Sequence, residues 1–348
     1  MVKTIILTLD YELFLGAESG SVENCMVEPI KELMSLLKLN GSKMTIFWDI
    51  LHYHRLKELS STKVECEKDL KRIKDSISGL VEDGHDIQMH IHSHWINSEY
   101  RDGKWQIKYD LYPVHNLDKN SDQPGQLMDY LQKAKLLMEE TISPVKPDYK
   151  VTTFRAGGFL LEPFVKLKDT LKILGIHIDS SVLPGVLYDS GGFTSFDYKL
   201  YPKKTFYRFE NSPSEETENG SFIEVPITTV KIDPLHNFYF RILERTRYKS
   251  LNSNLAGTSL NAIVYKKKSL IEKLFSLFKP VTVQFTLDSN FEEKIDYMLK
   301  KSPENSVMIL HSKLFTQYHA RILKDLISGN KVRFISMADF IKEEGLLP

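Results

Sequence analysis

Three histidines at every second position, His90, His92 and His94, close the stretch Gly84-His85-Asp86-Ile87-Gln88-Met89-His90-Ile91-His92-Ser93-His94-Trp95. Neutral imidazole is the commonest metal-binding side chain near neutral pH. Two geometries are open. If the backbone stays extended, the three rings share one face. If the strand ends near His90 and the chain turns helical, His90 and His94 fall on neighbouring turns and grip one ion. A polar strand end with solvated histidines is the bland alternative, and a single histidine would be read that way. Asp10 and Glu12 form a second candidate group, two acids of the same face at the end of a short apolar strand. One such carboxylate could simply cap a turn. Arg155, followed by Ala156, Gly157, Gly158 and Phe159, is a third, because paired glycines let the backbone approach a neighbour closely.

These residues need elements to carry them. Short β-branched and apolar runs predict strands over Thr4 to Leu9, Lys43 to Trp48, His85 to His90, Val151 to Phe154, Ile176 to Asp179, Phe222 to Pro226, Val281 to Leu287, Val307 to Leu310 and Val332 to Ile335. Helical periodicity predicts helices over Val27 to Leu39, Cys66 to Glu82, Gln126 to Thr141, Leu160 to Leu174, Phe291 to Lys300, Leu314 to Ile327 and Met337 to Glu344, with further ones over His236 to Lys249 and Lys267 to Phe278. Strands alternating with helices point to a parallel sheet. Asp10, Glu12, His90, Arg155, Asp179 and His311 all sit just past strand C-termini. In a parallel barrel those ends converge on one face, so a single active site is expected there. Two stretches break the pattern, near 97–125 and 188–280. The aromatics of the first, Tyr100, Trp105, Tyr109 and Tyr112, either stack on a sugar or pin the loop to the body, and Trp95 either lines the site or fills the core.

Composition narrows the class. The chain has 348 residues, 42% hydrophobic and 26% charged, as in ordinary globular proteins. Lys+Arg and Asp+Glu both number 46, so the net charge is zero and nothing points to a nucleic-acid partner. Cys25 and Cys66 are too few for a disulfide framework and suit a reducing compartment. No apolar run approaches the roughly 20 residues of a membrane span, and the N-terminus shows no signal-peptide pattern. A cytoplasmic location is therefore expected.

In order, the motifs L-D-Y-E from Leu9, G-H-D-I-Q-M-H-I-H-S-H from Gly84, R-A-G-G-F from Arg155, D-S-S-V-L-P from Asp179 and I-L-H-S from Ile309 resemble the polysaccharide deacetylases of the NodB-homology group, carbohydrate esterase family 4. The branch most similar is that of surface-polysaccharide and lipopolysaccharide biosynthesis. The resemblance implies an α/β fold, a distorted (β/α) barrel, here spanning residues 1–348 as one domain with two long insertions. It implies a hydrolase that removes acetyl groups from N- or O-acetylated sugars with one divalent metal ion, usually Zn2+. By the same resemblance Asp10 is the general base, Glu12, His90 and His94 hold the metal with His92 as the alternative ligand, Arg155 holds the base, Asp179 matches the acid of the fourth motif, and His311 is the general acid. Trp95, Gly157, Gly158 and Phe159 are assigned to substrate binding. The sequence departs from the family where Glu12 replaces the usual aspartate, where the third motif lacks its proline, and where His92 is added. Two rival readings are a hydrolase of a non-sugar amide or cyclic imide on the same fold, and a carbohydrate-binding module without catalysis. Retention of Asp10, Arg155 and His311 speaks against the second.

Overall fold

The computed structural model describes residues 2–118, 125–189, 194–251, 255–259, 279–329 and 331–346. The chain opens with β1 (Lys3–Tyr11) and α1 (Glu28–Lys38), then β2 (Thr45–Asp49), α2 (Ile50–Leu59), α3 (Val64–Glu82) and β3 (Asp86–Ile91). A hairpin of β4 (Glu99–Arg101) and β5 (Lys104–Gln106) precedes α4 (Gln126–Ile142), β6 (Thr153–Ala156), α5 (Lys168–Ile173) and β7 (Ile178–Asp179). Five short strands follow, β8 (Leu187–Tyr188), β9 (Phe196–Asp197), β10 (Tyr207–Phe209), β11 (Phe222–Glu224) and β12 (Thr229–Ile232). Then come α6 (Pro234–Thr246), β13 (Val281–Gln284), α7 (Glu292–Lys301), β14 (Asn305–His311), α8 (Gln317–Ser328), β15 (Val332–Ile335) and α9 (Met337–Glu343).

The main sheet runs β10-β11-β7-β6-β3-β2-β1-β14, with β15 beside the first half of β1. Every pairing in it is parallel except β10 with β11. It curls into an incomplete barrel with helices outside, as the alternating pattern predicts. Parallel strands are covered on both faces, so they read as nearly continuous apolar runs. Ile5, Ile6, Leu7 and Leu9 of β1 are accordingly all inaccessible to solvent. The register brings the chemistry together: Asp10 lies opposite His311, Asp49 opposite His90, and His90 opposite Arg155.

Some elements differ from expectation. The periodicity misses α2, whose buried side includes the polar His52 beside Ile50, Leu51, Tyr53 and Leu56. The helix expected over Leu160 to Leu174 is reduced to α5, since Pro163 disfavours helical backbone before it. The irregular stretch near 97–125 contains the β4–β5 hairpin. The strand expected over Val281 to Leu287 divides: β13 pairs antiparallel with β12, and Thr286 then bridges to Ile309 of β14. The helix expected over Lys267 to Phe278 lies outside the described residues.

Candidate active site

Strand β1 delivers Asp10 and Glu12 to the barrel's C-terminal face, 2% and 3% exposed. Arg155, at the end of β6, is fully buried and donates from Nη1 to Asp10 Oδ1 at 2.6 Å. Its other donors are spent on the Ser180 carbonyl at 2.8 Å, the Ser180 hydroxyl at 3.0 Å and the Thr8 hydroxyl at 3.2 Å. Its guanidinium rests 3.8 Å from the centre of the Phe47 ring. Each of the three guanidinium nitrogens is hydrogen-bonded, so the fork is fixed and the carboxylate with it. Burial opposes ionisation of Asp10, yet Arg155, His90 and His311 outweigh it and hold the carboxyl below its ordinary range.

Glu12 Oε2 lies 2.6 Å from His92 Nε2 and 3.3 Å from His90 Nε2. The backbone decides this grouping. His92 is still extended, at φ −109° and ψ 92°, and the 3₁₀ turn begins only at Ser93. His90 and His92 therefore share a face, and the helical turn expected to bring His94 alongside His90 is absent. His94 is instead buried against Tyr112, rings stacked 5.5 Å apart, with neither ring nitrogen hydrogen-bonded among the described residues. Burial pushes its pKa well down. His90 Nδ1 faces the Arg155 carbonyl at 3.0 Å, which suits a tautomer protonated there and leaves Nε2 free to bind. Two imidazole nitrogens and one carboxylate oxygen within 4.8 Å of one another suit a divalent ion, and Asp10, Glu12 and His311 form an overlapping group on the same criterion.

Opposite Asp10, β14 ends at His311. Its Nδ1 is 2.7 Å from Asp288 Oδ2, and its backbone N–H donates to Asp288 Oδ1 at 3.1 Å. Its Nε2 therefore points inward, 3.6 Å from Asp10 Oδ2. Burial lowers the imidazole pKa, but Asp288, Asp10 and Glu12 raise it above its usual value. Asp179 does not reach His311. It accepts from the Ser181 N–H at 2.8 Å and the Ser181 hydroxyl at 2.7 Å, and it faces Glu224. Burial and Asp179 raise the Glu224 carboxyl well above its ordinary range, which suits a shared proton.

The glycines act through close approach. A Cβ on Gly157 would stand 2.5 Å from the Ile91 carbonyl oxygen and 2.6 Å from His92 Nδ1. Gly158, at φ +61°, would place one 2.5 Å from the Tyr112 hydroxyl. Gly158 and Phe159 line a cavity of about 460 Å³ whose floor holds Asp10, Glu12, His90, His92, His311 and Lys313. Trp95 does not line it. That ring is buried, donating to Asp49 Oδ2 at 2.5 Å and packing against Trp105. Of the loop aromatics Tyr112 reaches the cavity, whereas Tyr109 pins the loop by donating to the Leu15 carbonyl at 2.7 Å.

Three residues escaped the sequence reading. Asp288 follows a strand-like run much as Asp10 does, and that was its signal. Lys313 donates to Glu12 Oε1 at 2.6 Å and to the Leu13 carbonyl at 2.9 Å. Against the effect of burial, Lys313 and His92 hold the Glu12 carboxyl well below its ordinary range. Asp49 ends β2 beside these groups, and burial raises it to about 6.

No protein-family model and no curated protein matches the sequence. Solved structures do resemble it in chain path. A Mycobacterium smegmatis protein assigned to the polysaccharide deacetylases is 13% identical, with TM-score 0.46, over 100% of this chain and 93% of its own. The PuuE allantoinase is 13% identical, with TM-score 0.45, over 99% and 90%. A polysaccharide deacetylase of Bacillus cereus is 12% identical, with TM-score 0.37, over 96% and 91%. Likeness at this level adds nothing about chemistry, which rests on the side chains above.

Proposed function

We propose that the chain is a metal-dependent hydrolase that removes an acetyl group from an N- or O-acetylated sugar, with Asp10 as base and His311 as acid. One arrangement carries this reading: Asp10, held by Arg155, and His311, held by Asp288, flank the Glu12, His90 and His92 group on one cavity floor. Glu12, His90 and His92 would hold a divalent ion, zinc by its preference for imidazole and carboxylate. When bound, such an ion supplies a more acidic water and polarises the acyl carbonyl.

The chain's own residues do the rest. Asp10, kept ionised by Arg155, accepts the proton of the attacking water. Asp288 holds Nδ1–H of His311, so Nε2–H is the proton available to the leaving amine or alkoxide. Asp179 acts at a distance, fixing Ser181, whose hydroxyl accepts from the Ala156 N–H at 2.8 Å next to Arg155. Tyr112 and Phe159, which line the cavity, would give a sugar ring aromatic contact there. A binding module would not need base, orienting arginine and acid together. Acetate release from acetylated sugars, measured with and without a chelator, tests the proposal. Release unchanged after complete metal removal would contradict it.

A further inference from the structure

Helix α6 follows β12 almost directly and shows solvent a row that helices usually bury. Leu235 is 82% exposed, Tyr239 47% and Ile242 44%. Spacings of four and three residues set them in one line along the helix. The packing is on the other side, where Asn237 and Phe240 are buried and Phe240 meets Phe291. Single exposed leucines need no explanation, but a contiguous row marks an interaction surface.

Helix α6 leaves the β12–β13 hairpin, and that hairpin forms part of the cavity wall. Thr282, Val283 and Gln284 of β13, paired with β12, line the cavity. A Cβ on Gly185 would stand 2.9 Å from Lys203 Nζ and 3.6 Å from Thr282 Cγ2, so the turn before β8 meets the same hairpin and the Lys203 side chain reaches that turn. Leu200, three residues before Lys203, is 94% exposed.

Charge selects the partner. Arg241 and Arg245 edge the row, and Lys249 follows it. Among the described residues no carboxylate lies within ion-pair reach of Arg245 or Lys249, whereas Glu244 is engaged by Lys294 at 3.4 Å and Glu293 by Arg247 at 2.8 Å. An apolar and aromatic row edged by Arg241, Arg245 and Lys249 matches the headgroup–acyl boundary of an anionic membrane.

We infer that α6 docks on the surface of an anionic phospholipid bilayer, with Leu235, Tyr239 and Ile242 inserted and Arg245 and Lys249 among the headgroups. Among the described residues no helix is long and apolar enough to cross a membrane, so this attachment lies on the surface. The docked hairpin wall stands next to the headgroups, where a lipid-linked sugar would be presented; that consequence rests on the hydrolytic reading above, and the docking does not.

The full chain is to be floated with phosphatidylcholine vesicles, with and without phosphatidylglycerol. Flotation is expected with the anionic vesicles and weakened by salt. The triple variant Leu235→Ser, Tyr239→Ser, Ile242→Ser should bind about tenfold more weakly or worse with an unchanged circular dichroism spectrum, and Arg245→Glu with Lys249→Glu should lose the preference for phosphatidylglycerol. No binding to either vesicle, or undiminished binding by the triple variant, would overturn the inference. So would a dimer in light scattering that the triple variant splits, since the row would then belong to a second copy. Flotation reads the docking alone and acetate release from a soluble sugar reads the reaction alone, so the two failures are distinguishable.

Discussion

Asp288 accepts the Nδ1 proton of His311 at 2.7 Å while its other oxygen holds the His311 backbone N–H at 3.1 Å. The carboxylate thus fixes both the ring's direction and its tautomer. It also raises the imidazole pKa, against the lowering by burial.

Asp288→Asn should therefore slow turnover by about 10- to 100-fold, the usual effect of losing an orienting partner. The pH profile gives a second readout. Activity needs His311 protonated and falls as pH rises through its pKa. With the raising charge gone, that fall should move to lower pH while metal content stays unchanged. A profile that does not move would leave Asp288 a purely structural partner.

The two histidines beyond His90 are separated by metal content. His92→Ala should lose most of the ion, because Nε2 lies 2.6 Å from Glu12 Oε2 on the shared face. His94→Ala should keep the ion and lose stability by about 1–3 kcal/mol through the gap left beside Tyr112. The reverse pattern of metal contents would restore the helical geometry that the four-residue spacing suggests.

Gly157→Ala should lower metal affinity although it changes no ligand. The added methyl meets the Ile91 carbonyl oxygen at 2.5 Å and His92 Nδ1 at 2.6 Å, so strand or ring must shift. Overpacking of this kind costs about 1–3 kcal/mol. Titration calorimetry with zinc checks it, and an unchanged affinity would show that the ring tolerates displacement.

Metal uptake should release protons. Burial lowers the His90 pKa, but Asp10 and Glu12 lift it to about 9 in the metal-free chain. An imidazole must be neutral to bind. Below that pH the ion displaces a proton from His90, so affinity should strengthen as pH rises from 6 towards about 9. Calorimetry in buffers of different ionisation enthalpy counts the released protons; uptake without release would contradict this state of His90.

Much of this was legible in the chain. The barrel strands declare themselves as apolar runs because both faces are covered, and their polar ends announce Asp10, Glu12, His90, Arg155 and His311. What separates His92 from His94 is one backbone conformation, the extended residue before Ser93, and periodicity places such a boundary only within a few residues. Lys313 is brought to Glu12 by the parallel pairing of β14 with β1 across long sequence separation, which no local spacing records, whereas Asp288 had its signal in the strand-like run before it. Trp95 was open between site and core, and the buried carboxylate of Asp49 took it to the core. Of the short strands between Leu187 and Ile232, β11 registers as the run Phe222 to Pro226, whereas β8, β9, β10 and β12 are too brief for alternation to show.

The most direct test is acetate release by Asp10→Asn, alongside its metal content. The amide is nearly isosteric with the carboxylate that Arg155 holds at 2.6 Å, but it cannot accept the water's proton. Turnover on acetylated sugars should fall by about 10²- to 10⁴-fold with the ion retained. Turnover equal to that of the unaltered chain, at equal metal content, would contradict Asp10 as the base and with it the proposed reaction.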